Sequence, residues 1–267
     1  KFVHVAAISI WCAGLICLPG LYLQRAHVAD RDSLHHLQRF VRFCYIVLIS
    51  PAAVGAVATG TALIVVDMQN AFATKGGMFD LAGHDISGAA PVVELHKRLL
   101  PSVRAARVQV IYLQMAFKPD LSDAGGPDSP AWHKELALRM MRERPELAGK
   151  LLIDGSWDAQ IVDGMEPQDD DIVIRKSRYN GFTGTDLDAI LKGRGIRHLL
   201  VTGIATNICV ESTARNAFFN EFWPILISDA MNHAGPEFTR QATLWNFENV
   251  LGWVTDSAAV LKALSAN

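Results

Sequence analysis

Residues 50–70, SPAAVGAVATGTALIVVDMQN, combine two patterns that predict different structures. From residue 43 to Asp67 the chain carries no charged side chain, and an apolar run of that length is typical of a membrane-spanning helix. Its last part, TALIVVD, is a short β-branched run of the kind that forms a buried strand, and it ends in a carboxylate. A helix starting at residue 43 would end near residue 62, where that strand must begin, because a span takes about 20 residues. We therefore interpret the sequence near residue 61 as a boundary.

Upstream of this boundary, residues 2–24 and 43–63 each approach the length of a transmembrane helix. The segment between them has four Arg against two Asp, which favours a membrane hairpin with its basic loop in the cytoplasm. A pair of buried core helices is the alternative. KFVHVAAISIWCAGLICLPGLYL weakly resembles the first helix of small bacterial integral membrane proteins. We assign residues 1–60 to an apolar helical hairpin and residues 61–267 to a second domain, joined by fusion, recombination or a gene-model error.

Composition limits the classes of function. The formal net charge is −2 and the pI about 6.5, so nothing in the charge balance indicates a nucleic-acid partner. Three of the four cysteines lie within the first sixty residues, and Cys209 is alone in the rest. The second domain therefore has no disulfide framework and no paired-cysteine metal site. A hairpin with its basic loop in the cytoplasm would place this domain on the other side of the membrane. We nevertheless expect the domain to be cytoplasmic, with membrane association only through residues 1–60.

From residue 61 onward, short β-branched runs alternate with amphipathic helical segments, which predicts an α/β fold with a mainly parallel, Rossmann-like sheet flanked by helices. We expect five strands, at 62–67, 108–114, 171–176, 196–203 and 223–230. We expect helices at 91–107, with Pro101 breaking or kinking it, at 185–193 with a Thr cap, after Cys209, and from Pro236. A long loop at roughly 117–135 is predicted to be functional.

Three reactive side chains follow predicted strands: Asp67, Lys176 and Cys209. Singly, such residues are most often a turn cap, a solvated cation and a small buried apolar group. Because the carboxyl ends of parallel strands share one edge of the sheet, the three are expected to meet in a site. Cys209 is the predicted nucleophile, in the first turn of a helix capped by Thr206 or Asn207. The helix end is expected to lower the pKa of the thiol.

VVDMQNAF, RKSRYNGF and TGIATNICVESTARNAFF resemble segments of the cysteine hydrolases of the isochorismatase-like superfamily. The resemblance covers about residues 61–267 in one order, and it is greatest to the ureidoacrylate amidohydrolases of bacterial pyrimidine utilisation. It implies an isochorismatase-type sheet, a homo-oligomer and a catalytic triad of Asp67, Lys176 and Cys209. It also implies a cis peptide bond between Ile204 and Ala205 and an oxyanion hole formed by the backbone N–H groups of Ala205 and Cys209.

Zinc-dependent relatives in this superfamily use a D-x-H motif and a further His. The corresponding stretch here, LQMAFKPDLSDAGG, lacks them, so we expect no metal and no other cofactor. RKSR also lacks the proline expected beside the lysine, which leaves Lys176 in place and changes only the expectation for the local loop.

The resemblance implies cleavage of the ureido C–N bond of ureidoacrylate, or of its peracid, to aminoacrylate and carbamate through a cysteine thioester. The expected partner is thus a small ureide or amide, with Arg178 expected to pair with its carboxylate. Substrate contacts are expected from six residues: Asn70, Phe72, Trp132, His133, Arg178 and Tyr179. Biuret or N-carbamoylsarcosine is the alternative substrate. A membrane-anchored, non-catalytic binding protein is the alternative from another class, and the complete triad argues against it.

Overall fold

The structure is a computed structural model that describes residues 60–265 of the 267-residue chain. The hairpin predicted for residues 1–60 therefore lies, apart from Gly60, outside the described residues. Within the range that is described, no helix has both the length and the apolar character needed to cross a membrane.

Strands and helices alternate along the described chain. The strands are β1 (Thr61–Val66), β2 (Gln109–Met115), β3 (Ile172–Lys176), β4 (His198–Ile204), β5 (Trp223–Asn232) and β6 (Trp253–Thr255). The α-helices are α1 (Asn70–Ala73), α2 (Met78–Leu81), α3 (Ala89–Ala105), α4 (Pro130–Lys134), α5 (Leu136–Glu143), α6 (Leu187–Gly193), α7 (Glu211–Phe219), α8 (Glu237–Asn246) and α9 (Ser257–Ser265). A 3₁₀ turn spans Pro145–Leu147, and π-helical turns span Thr206–Val210 and Phe247–Leu251.

The six strands form one sheet in the order β3-β2-β1-β4-β5-β6, and every neighbouring pair is parallel. All six residues of β1 are buried, which is the pattern of a central strand covered on both faces. One apolar cluster includes Leu99 of α3 and Val260 of α9, and the other includes Leu187 of α6 and Ala214 of α7. The predicted α/β fold with a parallel sheet and flanking helices is confirmed.

The structure differs from the prediction at two places. Strand β6 was not predicted, because its three residues are too few to show an alternating pattern. Pro101 does not end its helix, since α3 runs unbroken from Ala89 to Ala105. Leu100 and Val103 are buried on either side of the proline, so packing against the sheet holds the helix together despite the missing N–H.

Gly203 occupies a position in β4 that admits no side chain. Its φ is +119°, and an added Cβ would lie 1.9 Å from the carbonyl oxygen of Val66 in the adjacent strand. Replacing Gly203 with alanine should therefore force the two central strands apart and lower the free energy of unfolding by about 3 kcal/mol. Chemical denaturation measures this. Gly193→Ala is the matched control, because a Cβ there meets no atom within 4 Å and stability should change by less than about 1 kcal/mol. Equal stability of the two variants would contradict the prediction.

His96 lies in α3 with its ring fully buried, and it joins the helix to the sheet. Its Nδ1 is 2.8 Å from the Val92 carbonyl oxygen and its Nε2 is 2.9 Å from Thr202 Oγ1. Burial lowers the pKa of His96 from 6.5 to about 4. The unfolded chain therefore binds a proton more readily, so the contribution to stability is complete above pH 6.5 and is lost as the pH falls towards 4.

Between pH 6.5 and 4, the native protein should accordingly lose about 3 kcal/mol of unfolding free energy more than a His96→Gln variant, which has no titrating group there. Denaturant titrations at several pH values measure the difference. Parallel stability curves for the two proteins would contradict it.

Candidate active site

The three reactive side chains predicted from the sequence lie together at the carboxyl edge of the sheet. Asp67 directly follows β1, Lys176 is the last residue of β3, and Cys209 lies in the π-helical turn after β4. Asp67 has a φ of 49°, and its N–H donates to the Leu113 carbonyl at 2.9 Å, which fixes the residue at the end of the neighbouring β2.

Lys176 and Asp67 form a fully buried ion pair. Lys176 Nζ is 2.7 Å from Asp67 Oδ2, and both side chains have no exposed surface. The same ammonium donates to the Arg178 carbonyl at 3.2 Å and lies 3.7 Å from Met115 Sδ. Burial opposes the charge of Lys176, but Asp67 and Cys209 outweigh burial and raise its pKa. The lysine is therefore a fixed positive charge.

The second oxygen of Asp67 is available to accept a proton. Oδ1 is buried and receives no hydrogen bond from any described residue. The Cys209 thiol is close enough for the two groups to shift each other's pKa. Burial raises the pKa of Asp67, and the attraction of Lys176 offsets only part of that effect. The arrangement places a basic carboxylate next to the thiol.

Two expectations for Cys209 were wrong. Burial raises the pKa of the Cys209 thiol well above its ordinary value and outweighs the opposing effect of Lys176. Neither Thr206 nor Asn207 caps the helix through its side chain, because a π-helical turn that begins after Ala205 precedes α7. Asn207 instead donates to the Ala234 carbonyl at 2.9 Å and accepts from its N–H at 3.0 Å. It thereby fixes the segment that follows β5 against the cysteine turn.

The backbone before Cys209 is also unusual. The Ile204–Ala205 peptide bond is cis, at the position implied by the resemblance. The N–H groups of Ile208 and Val210 both donate to the Ala205 carbonyl, at 3.0 and 3.2 Å, so the turn closes around this residue.

A cavity of about 270 Å³ opens at Cys209 and Ala205. Its polar lining consists of His84, Lys134, Glu135, Tyr179 and Cys209, and the rest is Phe72, Met78, Phe79, Met115, Leu136, Ala205, Ile208, Ala234 and Gly235. An apolar cavity with a few polar groups is the usual form of a small-molecule site.

Of the six residues expected to contact substrate, Phe72 and Tyr179 line this cavity. The side chains of the other four make different contacts. Asn70 donates to the Trp157 carbonyl, the Trp132 ring lies under the Arg142 guanidinium at 4.3 Å, and His133 Nε2 is 2.7 Å from the Pro127 carbonyl oxygen.

The guanidinium of Arg178 is held by protein carbonyls, not presented to the cavity. Its NH1 donates to the carbonyls of Asp123 and Ser177 at 2.9 and 2.7 Å. The cation that lines the cavity is instead Lys134, next to the buried carboxyl of Glu135. The sequence did not predict a role for Lys134 or Glu135, although both lie at the end of the segment 117–135 that was predicted to be functional.

Among residues 60–265 no group of three or more His, Cys, Asp and Glu side chains is arranged to hold a metal ion.

The described region matches a known family model and is similar to several known proteins. A family model described as the isochorismatase domain matches residues 61–259. The ureidoacrylate amidohydrolase RutB of Yersinia enterocolitica serotype O:8 / biotype 1B is 51% identical over 206 residues, which cover 77% of this chain and 90% of that protein. The ureidoacrylate amidohydrolase RutB of Agrobacterium fabrum is 53% identical over 194 residues, or 73% of this chain and 85% of that protein.

Solved structures show the same relationship. The crystal structure of a cysteine hydrolase from Pseudomonas syringae pv. phaseolicola superimposes with a TM-score of 0.66 at 30% identity, covering 78% of this chain and 94% of that one.

Proposed function

The chain belongs to the isochorismatase family, and on that premise we propose that it hydrolyses ureidoacrylate to aminoacrylate and carbamate in pyrimidine utilisation, with Asp67, Lys176 and Cys209 as the catalytic residues. The observation that carries the proposal is the buried Lys176–Asp67 ion pair beside a thiol that opens on a small apolar cavity. The amidohydrolases at about 50% identity support the ureide as substrate.

The first step is proton transfer from the Cys209 thiol to Asp67, most directly to its unbonded Oδ1. Burial raises the pKa of the thiol, and the positive charge of Lys176 is the main opposing effect that favours the thiolate. Lys176 keeps a positive charge next to both groups and so compensates the negative charge that moves from oxygen to sulfur.

Thiolate then attacks the ureido carbonyl carbon, and the electron pair of the C=O bond moves to oxygen. The backbone N–H groups of Ala205 and Cys209 are the proposed donors to this oxyanion. When the intermediate collapses, the C–N bond to the acrylate nitrogen breaks and Asp67 returns its proton to that nitrogen. Aminoacrylate leaves, and a carbamoyl thioester remains on Cys209.

Water completes the cycle. Asp67 takes a proton from the attacking water, the C–S bond breaks, and the sulfur recovers its proton while carbamate departs. Carbamate decays to ammonia and carbon dioxide.

Ammonia release from a panel of ureides tests the proposed function. Ureidoacrylate, biuret and N-carbamoylsarcosine would be offered to the native chain at equal concentration, with Cys209→Ala as the blank. We expect the highest kcat/KM for ureidoacrylate. A preference for biuret or N-carbamoylsarcosine would overturn the proposed substrate, while absence of ammonia from all three would overturn the activity itself.

We propose that the enzyme works as a homo-oligomer in the cytoplasm. Phe238 and Trp245 lie seven residues apart on one face of α8 and are 67% and 61% exposed. Large aromatic side chains grouped on an exposed helix face are typical of protein interfaces. An unpaired catalytic thiol suits a reducing compartment. Sedimentation velocity of the native chain and of a Phe238→Ser, Trp245→Ser double variant tests the assembly, which the double variant should lose.

A further inference from the structure

The residues that line the cavity include one lysine or arginine, Lys134, and it is followed directly by a buried carboxyl group, that of Glu135. The two differ sharply in exposure, because the side chain of Lys134 is exposed whereas Glu135 is 4% exposed. One charge therefore lies at the mouth of the cavity and the other in its wall.

We propose that Lys134 and Glu135 form a two-point recognition element for an acidic ureide, in which Lys134 binds the substrate carboxylate and Glu135 accepts an N–H of the ureido group. This inference rests on the proposed function and deepens it, because it states which protein groups select a substrate that has a carboxylate at one end and a ureido group at the other.

The other cationic side chains near the cavity already donate hydrogen bonds to protein groups. Lys176 is fully buried and donates to Asp67 and to a backbone carbonyl, and Arg178 donates to two backbone carbonyls away from the cavity. The side chain of Lys134, by contrast, makes no hydrogen bond or ion pair with the part of the chain that the structure describes. A free cation at the mouth of an apolar cavity is well placed to bind a carboxylate through a charge-assisted hydrogen bond.

Glu135 serves as a helix cap but keeps acceptor capacity. Its Oε2 accepts the N–H of Leu138 at 2.9 Å, which caps the first turn of α5. Burial raises the pKa of Glu135 to about 7, against the opposing effect of the backbone N–H groups of Leu136, Ala137 and Leu138. In its ionised form the carboxylate has up to four lone-pair positions, so it can still accept a hydrogen bond from a ligand. Glu135 also influences the pKa of Lys176, Tyr179 and Cys209, which places its charge within reach of the reacting groups.

In the proposed pose, Cys209, Glu135 and Lys134 face the carbonyl, the N–H groups and the carboxylate of ureidoacrylate in that order. With the ureido carbonyl at Cys209, the proposed pose directs the ureido N–H groups towards Glu135, which lines the same cavity and acts electrostatically on the thiol. The carboxylate lies further from the carbonyl along the acrylate, towards the exposed Lys134. The apolar lining between, including Phe72 and Met115, suits the flat carbon segment that joins the two ends.

Lys134 is tested with two substrates, ureidoacrylate and a neutral alkyl urea of similar length that lacks the carboxylate. In Lys134→Met we expect kcat/KM for ureidoacrylate to fall roughly 10- to 100-fold, mostly through KM, with little change for the neutral urea. Lys134→Arg should restore most of the loss, and Lys150→Met, an exposed lysine away from the cavity, is the matched control. Equal effects on the two ureas, or no effect on either, would overturn the role of Lys134.

Glu135→Ser separates recognition from capping, because serine is itself a favoured N-cap residue. We expect a melting temperature close to that of the native protein and a rise in KM of about tenfold for both ureas. Glu135→Gln, which keeps the size of the side chain, provides a second variant should the serine variant fold poorly. Unchanged KM values in a folded variant would mean that Glu135 acts only as a helix cap, and this would overturn its proposed role in recognition.

Calorimetric binding of ureidoacrylate to Cys209→Ala, with and without Lys134→Met, keeps this test independent of turnover. A native chain that hydrolyses no ureide but still binds ureidoacrylate through Lys134 would refute the proposed reaction and leave the recognition element intact. Equal affinities in the two proteins would refute the recognition element.

Discussion

Cys209→Ala is expected to lower kcat for ureide hydrolysis by at least about 10⁴-fold, because the proposed reaction passes through a covalent bond to its sulfur. Cys209→Ser should be almost as inactive, since Asp67 is a weak base for a hydroxyl group. Both variants should keep the native melting temperature within a few degrees, because the side chain is small and buried beside groups that remain paired with each other. Steady-state ammonia release measures the effect on rate.

Mass spectrometry supplies a second readout for the same residue. Rapid acid quenching of the native enzyme at saturating substrate should trap a carbamoyl group on the peptide that contains Cys209, and neither variant should carry it. A serine variant that retains more than about a hundredth of native activity would contradict nucleophilic catalysis by this residue.

Lys176→Met is expected to damage both catalysis and stability. Its removal leaves Asp67 buried without its partner, and breaking a buried pair in this way costs about 3–5 kcal/mol of unfolding free energy. The remaining carboxyl should take up a proton to avoid an unpaired charge, so it can no longer accept one from the thiol, and kcat should fall by about 10³-fold.

A double variant distinguishes the two effects. Lys176→Met combined with Asp67→Leu removes both charges, so stability should recover towards the native value while activity stays lost. Unfolding curves and kcat for the three variants, including Asp67→Leu alone, provide the comparison. Recovery of activity in the double variant would refute the proposed roles of both residues.

The sequence was sufficient for five of the six strands and for the positions of the three reactive residues. Strands β1 to β5 have the β-branched runs of buried parallel strands, and the residue that follows such a strand must lie at the carboxyl edge of the sheet. Periodicity and local motifs carry that information. These sequence patterns were therefore sufficient to predict that Asp67, Lys176 and Cys209 lie close together at the carboxyl edge of the sheet.

What the sequence could not predict depends on packing between distant segments. The raised pKa of the Cys209 thiol comes from burial, which is decided by the whole fold and not by the helix turn that holds it. The direction of Arg178 is set by the carbonyls of Ser177 and of Asp123, the latter in the segment 117–135, and the end of α4 in the same segment delivers Lys134 to the cavity. A loop without periodicity gives no indication of which of its side chains point inward.

The direction of the strands has a practical consequence for immobilising this enzyme on a support or fusing it to another protein. All the strands are parallel, so their amino ends lie at the edge of the sheet opposite the one that holds Cys209. Gly60 is fixed at that far edge, where its carbonyl accepts the N–H groups of Arg197 and His198 at 2.8 and 3.0 Å. A resin, an electrode or a partner enzyme coupled immediately ahead of Gly60 would therefore be attached at the edge of the sheet opposite the proposed catalytic residues.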